Sequence, residues 1–194
     1  MANKDAAFGL RAIGKVGQNR DNQGLSEYGI AASTTSAIFQ NDPVQFLATG
    51  FIGVADTTTA VLLGSLNGVF YTDASTSKPT WANHLAASNA ATDIVGFVAD
   101  DPYERFEVQS STTLAIADIG LNADIVYAAG ASPNFVSKVE VNTGTMVSTT
   151  AQFRVVGVAK DIENSEKSNV TTYAANVNVV GIINEHFLKS TSGI

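Results

Sequence analysis

From Ile38 onward, apolar and polar residues alternate in short runs separated by turn-forming residues. Nine stretches read as single strands: PVQFLATG, AVLLGSL, GVFYTD, DIVGFVAD, RFEVQS, TTLAIAD, ADIVYAAG, AQFRVVGVA and NVNVVGII. They are rich in Val, Ile, Phe, Tyr and Thr, the residues that suit a pleated, half-buried surface. In AQFRVVGVA, Phe153, Val155 and Gly157 face one way and Arg154, Val156 and Val158 the other. Both faces are nearly all apolar, which predicts a central strand. In YAANVNVV, Val177 and Val179 share one face and Asn176 and Asn178 the opposite one, which predicts one wet side. Asn67-Gly68, between LLGSL and VFYTD, predicts a tight hairpin turn.

Helical patterning is sparse. ASNAATDI has room for a turn or two. SPNFVSKVEV offers Ser132 as a cap and Pro133 at a first helical position. Val136, Val139 and Val141 in the same stretch suit a strand equally. Short strands at intervals of about ten residues predict a mainly β chain, folded as a compact antiparallel β-barrel or sandwich.

Residues 9–24, GLRAIGKVGQNRDNQG, break this pattern, with four glycines, three cations and no period of either kind. The reading is an extended N-terminal arm over residues 1–30, followed by a β-rich domain over 31–194. Charge separates the two regions. Residues 1–30 hold four cations against three acids, a net of +1. Residues 31–194 hold seven against fifteen, a net of −8, for −7 overall. A chain this acidic is a poor general binder of nucleic acid, which needs a basic face for its phosphates. The apolar runs are far too short for a membrane span, and Met1–Asp5 does not lead into a secretory apolar stretch. The expectation is a soluble protein made in a cytoplasm, for which the acceptor-like Asn169-Val170-Thr171 is a chance match. With no cysteine, disulfides and thiolate chemistry are excluded.

The residues that carry chemistry elsewhere do not assemble into a known signature here. His84 and His186 are the only histidines, each without a second ligand at metal spacing. No serine lies in a G-x-S-x-G elbow, and the glycine-rich opening is not a phosphate loop. The densest acidic stretch, ADDPYERFEVQ, contains Asp100, Asp101, Glu104 and Glu107. An acid–base pair or calcium ligands are the functional readings, and a turn at Asp-Asp-Pro or an interface contact is the structural one. Trp81 is read either as a core residue or as an interface anchor.

Four segments, DAAFGLRAIGKVGQNRDNQGLSEY, NGVFYTDASTSKPTWANH, TDIVGFVADDPYERFEVQ and INEHF, carry a resemblance. With them the chain resembles small structural proteins of tailed bacteriophages, encoded beside the major capsid protein and regarded as capsid decoration or cement proteins. The likeness spans most of the chain and is weakest over about 130–170. It implies a β-rich domain, a β-tulip-like form included, on the outside of a phage head. The implied partners are the major capsid protein and further copies of itself as a homotrimer. The implied location is the virion exterior, with no enzymatic activity, cofactor or metal. Phe8, Leu10, Ile13 and Val16 are then the expected apolar anchors of the arm, and Arg11, Lys15 and Arg20 its cationic contacts. Two rivals compete with this reading. One is a carbohydrate-binding module stacking sugars on Trp81, Tyr71 and Tyr103. The other is a hydrolase or lyase acting through Asp100, Asp101 and Glu104.

Overall fold

The computed structural model describes residues 3–16, 24–160 and 171–190. Arg20 and the Asn169-Val170-Thr171 match lie outside them in whole or in part. The chain is mainly β, as the alternation predicts. Its strands are β1 (Arg11–Lys15), β2 (Ser26–Gly29), β3 (Pro43–Phe46), β4 (Ile52–Val54), β5 (Gly64–Thr72), β6 (Pro79–Ala82), β7 (Val95–Ala99) and β8 (Glu104–Gln109). They continue with β9 (Leu114–Ala115), β10 (Asn122–Ala123), β11 (Ile125–Val126), β12 (Glu140–Val141), β13 (Phe153–Val158), β14 (Thr172–Tyr173) and β15 (Asn178–Ile183). The described helical residues form three single 3₁₀ turns, and none is long or apolar enough to cross a membrane.

Two antiparallel sheets organise the body in a sandwich-like arrangement. A five-stranded sheet runs β1-β8-β15-β13-β10. A six-stranded sheet runs β2-β7-β5-β3-β4, with β6 also on β5. β7 occupies one edge of the nine-residue β5, so β3 and β6 share the other edge, one at each end. One parallel bridge, Ile30 to Ile52, joins the two ends of this sheet without closing it as a barrel. Each sheet has its own core. Phe106, Val108, Phe153, Val155, Val179 and Ile183 centre one, and Ile30, Val44, Ile52, Leu66, Val69 and Val98 the other. Each such side chain contributes about 1.5–3 kcal/mol on burial, before conformational entropy is set against it.

Several expectations change in detail. Asn67-Gly68 is not a hairpin turn: AVLLGSL and GVFYTD run on into β5, and the register against β7 shifts between Leu66 and Gly68. Neither residue takes a positive φ, so the dipeptide's preference for a tight turn goes unused within the strand. Close packing also selects glycine here, since a Cβ on Gly68 would lie 3.1 Å from the Trp81 ring and 3.0 Å from the Ala82 carbonyl oxygen. Neither proposed helix forms. SPNFVSKVEV makes a turn with Phe135 at φ 53°, then extends into β12. TTLAIAD pairs only through β9 before a 3₁₀ turn at Ile116–Asp118. β13 is central, as expected, yet Val156 on one face is 45% exposed. Val177 and Val179 do face the core.

The boundary at residue 30 does not match the packing of the described residues. β1 is an edge strand of the five-stranded sheet and β2 an edge strand of the other. Leu10 is fully buried within the core of the five-stranded sheet. No local period announced β1, because none of its five residues is buried and its register against β8 shifts between Ala12 and Gly14.

Candidate functional site

The expected anchors of the N-terminal segment separate into three groups. Leu10 fills the protein's own core and is not available to a partner, which corrects its assignment as a contact residue. Arg11 pairs with Glu107 at 2.6 Å and lies over the Phe8 ring, while Lys15 pairs with Asp101 at 2.6 Å. Ile13 and Val16 are exposed, at 49% and 53%.

The acidic cluster is a stitch between strands. Asp100 accepts hydrogen bonds from the Ser26 hydroxyl (2.9 Å) and the Tyr28 hydroxyl (2.6 Å), tying the end of β7 to β2. Asp101 accepts from the Tyr103 amide (2.7 Å) within the turn that Asp-Asp-Pro predicted. Glu104 accepts from the Gly14 amide at the irregularity in β1 (3.0 Å). Burial, followed by the bond to Asp100, pushes the Tyr28 hydroxyl up to about 12. Burial also lifts Glu104, and Asp101 sits below its ordinary value because Lys15 and the Tyr103 amide outweigh its burial. Asp100, Asp101 and Glu104 are therefore each engaged by donors of the chain itself. No group of three or more His, Asp or Glu residues is arranged to hold a metal among the described residues.

The two histidines are packing residues in different surroundings. His84 stacks on Phe135 with ring centres 3.9 Å apart, and Phe39 lies 6.1 Å away, nearly parallel to it. His186 is buried, its Nδ1 accepting from the Leu188 amide at 3.1 Å. Burial first, and Lys189 second, lower it to about 4, so it is neutral at physiological pH.

The outer face of the six-stranded sheet is different in character. Cross-strand partners share a face, and the register pairs Phe70 with Trp81 and with Val95, Gly68 with Phe97, and Glu27 with Phe97. Phe97, Phe70 and Trp81 thus point outward together. The Trp81 and Phe97 ring centres lie 4.7 Å apart. Trp81 is 57% exposed and Phe70 40%. Phe51, also exposed, lies against Gly29 at the same sheet's edge. Trp81 is a surface residue, not a core one.

No protein-family model, curated protein or solved structure matches this chain.

Trp81, Tyr71 and Tyr103 do not form one stacking platform. Tyr71 follows Phe70 in β5, faces inward and packs against the core. Tyr103 sits in the turn before β8 with the Lys189 ammonium 4.9 Å from its ring centre. The aromatic neighbours of Trp81 are Phe70 and Phe97. Their signal lay in the alternation of VFYTD and GFVAD, where an aromatic residue occupies the position opposite the core face.

Proposed function

We propose that this chain is a structural virion protein that binds the outer surface of a phage capsid and stabilises the head, without catalysing a reaction. The observation that carries this reading is the outward row of Trp81, Phe70 and Phe97 on a sheet face. Small-substrate sites are concave and gather a few convergent polar groups, whereas protein interfaces bury aromatic anchors on broad surfaces. The resemblance of four sequence segments to capsid decoration proteins supports the same reading. It names the major capsid protein and further copies of this chain, as a homotrimer, as partners. The net charge of −7 speaks against nucleic acid as a partner.

The test mixes purified protein with capsids assembled without it and follows co-sedimentation and the heat resistance of the heads. Binding with raised heat resistance is expected, and free protein beside unaltered heads overturns the reading. Exposure of Trp81 favours carbohydrate binding as a second reading, because an open indole face stacks well on a sugar ring. A glycan array that retains the protein, with loss on Trp81→Ala, would favour that alternative.

A further inference from the structure

Residues 39–42 form a turn that closes on itself and also holds a distant part of the chain. The Phe39 amide donates to Asp42 Oδ2 at 2.8 Å, and the Asp42 amide donates to the Phe39 carbonyl at 3.0 Å. From the same turn, the Asn41 carbonyl accepts from the Leu10 amide at 2.9 Å. The Asn41 side-chain amide donates to the Phe8 carbonyl at 3.0 Å. Ser65 on β5 donates to the Leu10 carbonyl at 2.6 Å. Gly9, at φ 73°, is pressed between Asn41 and Ser137 so closely that a Cβ would fall 2.4 Å from both. Residues 8–10 are thus threaded through a seat whose floor is the 39–42 turn.

Asp42, in the same turn, is fully buried, and its Oδ1 has no hydrogen-bond donor among the described residues. Ser137, which packs against Gly9, also acts on this carboxylate. Ser137 and the Phe39 amide favour its charged form, but no Lys, Arg or His is among the groups acting on it. The titratable neighbour is Tyr127, pushed up to about 12 mainly by its own burial, with Asp42 and Asp56 adding to the effect. A carboxylate buried with an unpaired oxygen and no counter-ion favours the neutral acid, and burial raises Asp42 to about 6.

We propose that the 39–42 turn is a proton-tightened latch on residues 8–10, closed more firmly when Asp42 is protonated than when it is ionised. Lifting residues 8–10 off the seat admits water to the carboxylate and lets it ionise at its ordinary value. The closed form therefore holds the proton more tightly, gaining stability as pH falls through about 6 and losing it as pH rises. Between pH 7 and pH 5, a carboxyl at about 6 when closed and 3.8 when open shifts the closing equilibrium roughly tenfold.

The experiment is amide hydrogen exchange of the full chain at pH 5 and pH 7, corrected for intrinsic exchange, read at Leu10. The expected result is roughly tenfold greater protection at pH 5, with the dependence abolished by Asp42→Asn. Equal protection at the two pH values, or an Asp42→Asn protein that keeps the native dependence, overturns the latch. The carboxyl-carbon resonance of Asp42, followed by NMR in the unaltered chain, gives a readout that needs no variant. A midpoint near 6, accompanied by a shift at the Leu10 amide, supports the proposal, and a midpoint near 3.8 overturns it.

Discussion

The two sheets follow the same alternation and finish their outer faces in opposite ways. On the five-stranded sheet, the outward Glu107 and Gln109 are covered by the beginning of the chain. Arg11 pairs with Glu107, while Gln109 accepts from the Ala6 amide (2.9 Å) and donates to the Lys4 carbonyl (3.0 Å). Glu107 and Gln109 are left only 8% and 4% exposed. On the six-stranded sheet nothing in the described chain lies over Trp81, Phe70 and Phe97. The difference marks where the molecule has completed its own surface and where apolar area is left open. Polar outward residues are satisfied by an extended segment that supplies amides and carbonyls. Outward aromatic rings need a complementary apolar face instead.

The sharpest way to break the first half of this comparison is Gly9→Ala. A side chain there meets backbone atoms at φ 73°, adding overpacking to backbone strain, and costs about 3 kcal/mol or more. Urea unfolding should record this as a large fall in midpoint. A midpoint within experimental scatter of the native value would mean that residues 8–10 are not seated as described. Deleting residues 1–24 is a less discriminating test, because it removes Leu10 from the core together with any partner contact.

Trp81→Ala addresses the other sheet and should separate stability from binding. The side chain is more than half exposed, so unfolding free energy should change by about 1 kcal/mol or less. Capsid affinity, measured by co-sedimentation, should fall by roughly tenfold or more, as for an aromatic anchor at the centre of an interface. Unchanged affinity would place the interface elsewhere.

Arg11→Ala is the mildest of the three. The Arg11 side chain is half exposed, so its pair with Glu107 is screened and contributes about 0.5–1 kcal/mol. A double-mutant cycle with Glu107→Gln measures the coupling directly. A value near zero would mean that the cover over the five-stranded sheet does not depend on this ion pair.

Much of the fold was legible from local pattern. The inward placement of Val177, Val179, Phe153 and Val155 follows from a period of two, which pleating imposes on any strand. The turn at Asp-Asp-Pro follows from proline's fixed φ and from an aspartate able to bond the backbone two residues on. Asn67-Gly68 was legible only as a place where the backbone bends, and the β7 pairing made it a bulge. Tyr71, Tyr103 and Trp81 were legible only as aromatic residues. Strand direction in β5 and β6 sent Tyr71 inward and Trp81 outward, since neighbouring residues face opposite sides.

By itself, then, the sequence determined the mainly β, antiparallel character of the chain and the inward residues of its longer strands. Those depend on steric and hydrophobic preferences spanning a few residues. Only the tertiary structure decided that Leu10 enters the core, that Asn41 and Ser65 grip its backbone, and that Asp42 is buried with no cation among the described groups acting on it. Each of these rests on contacts between segments tens of residues apart, whose pairing is set by the packing of the whole and leaves no periodic trace in either segment.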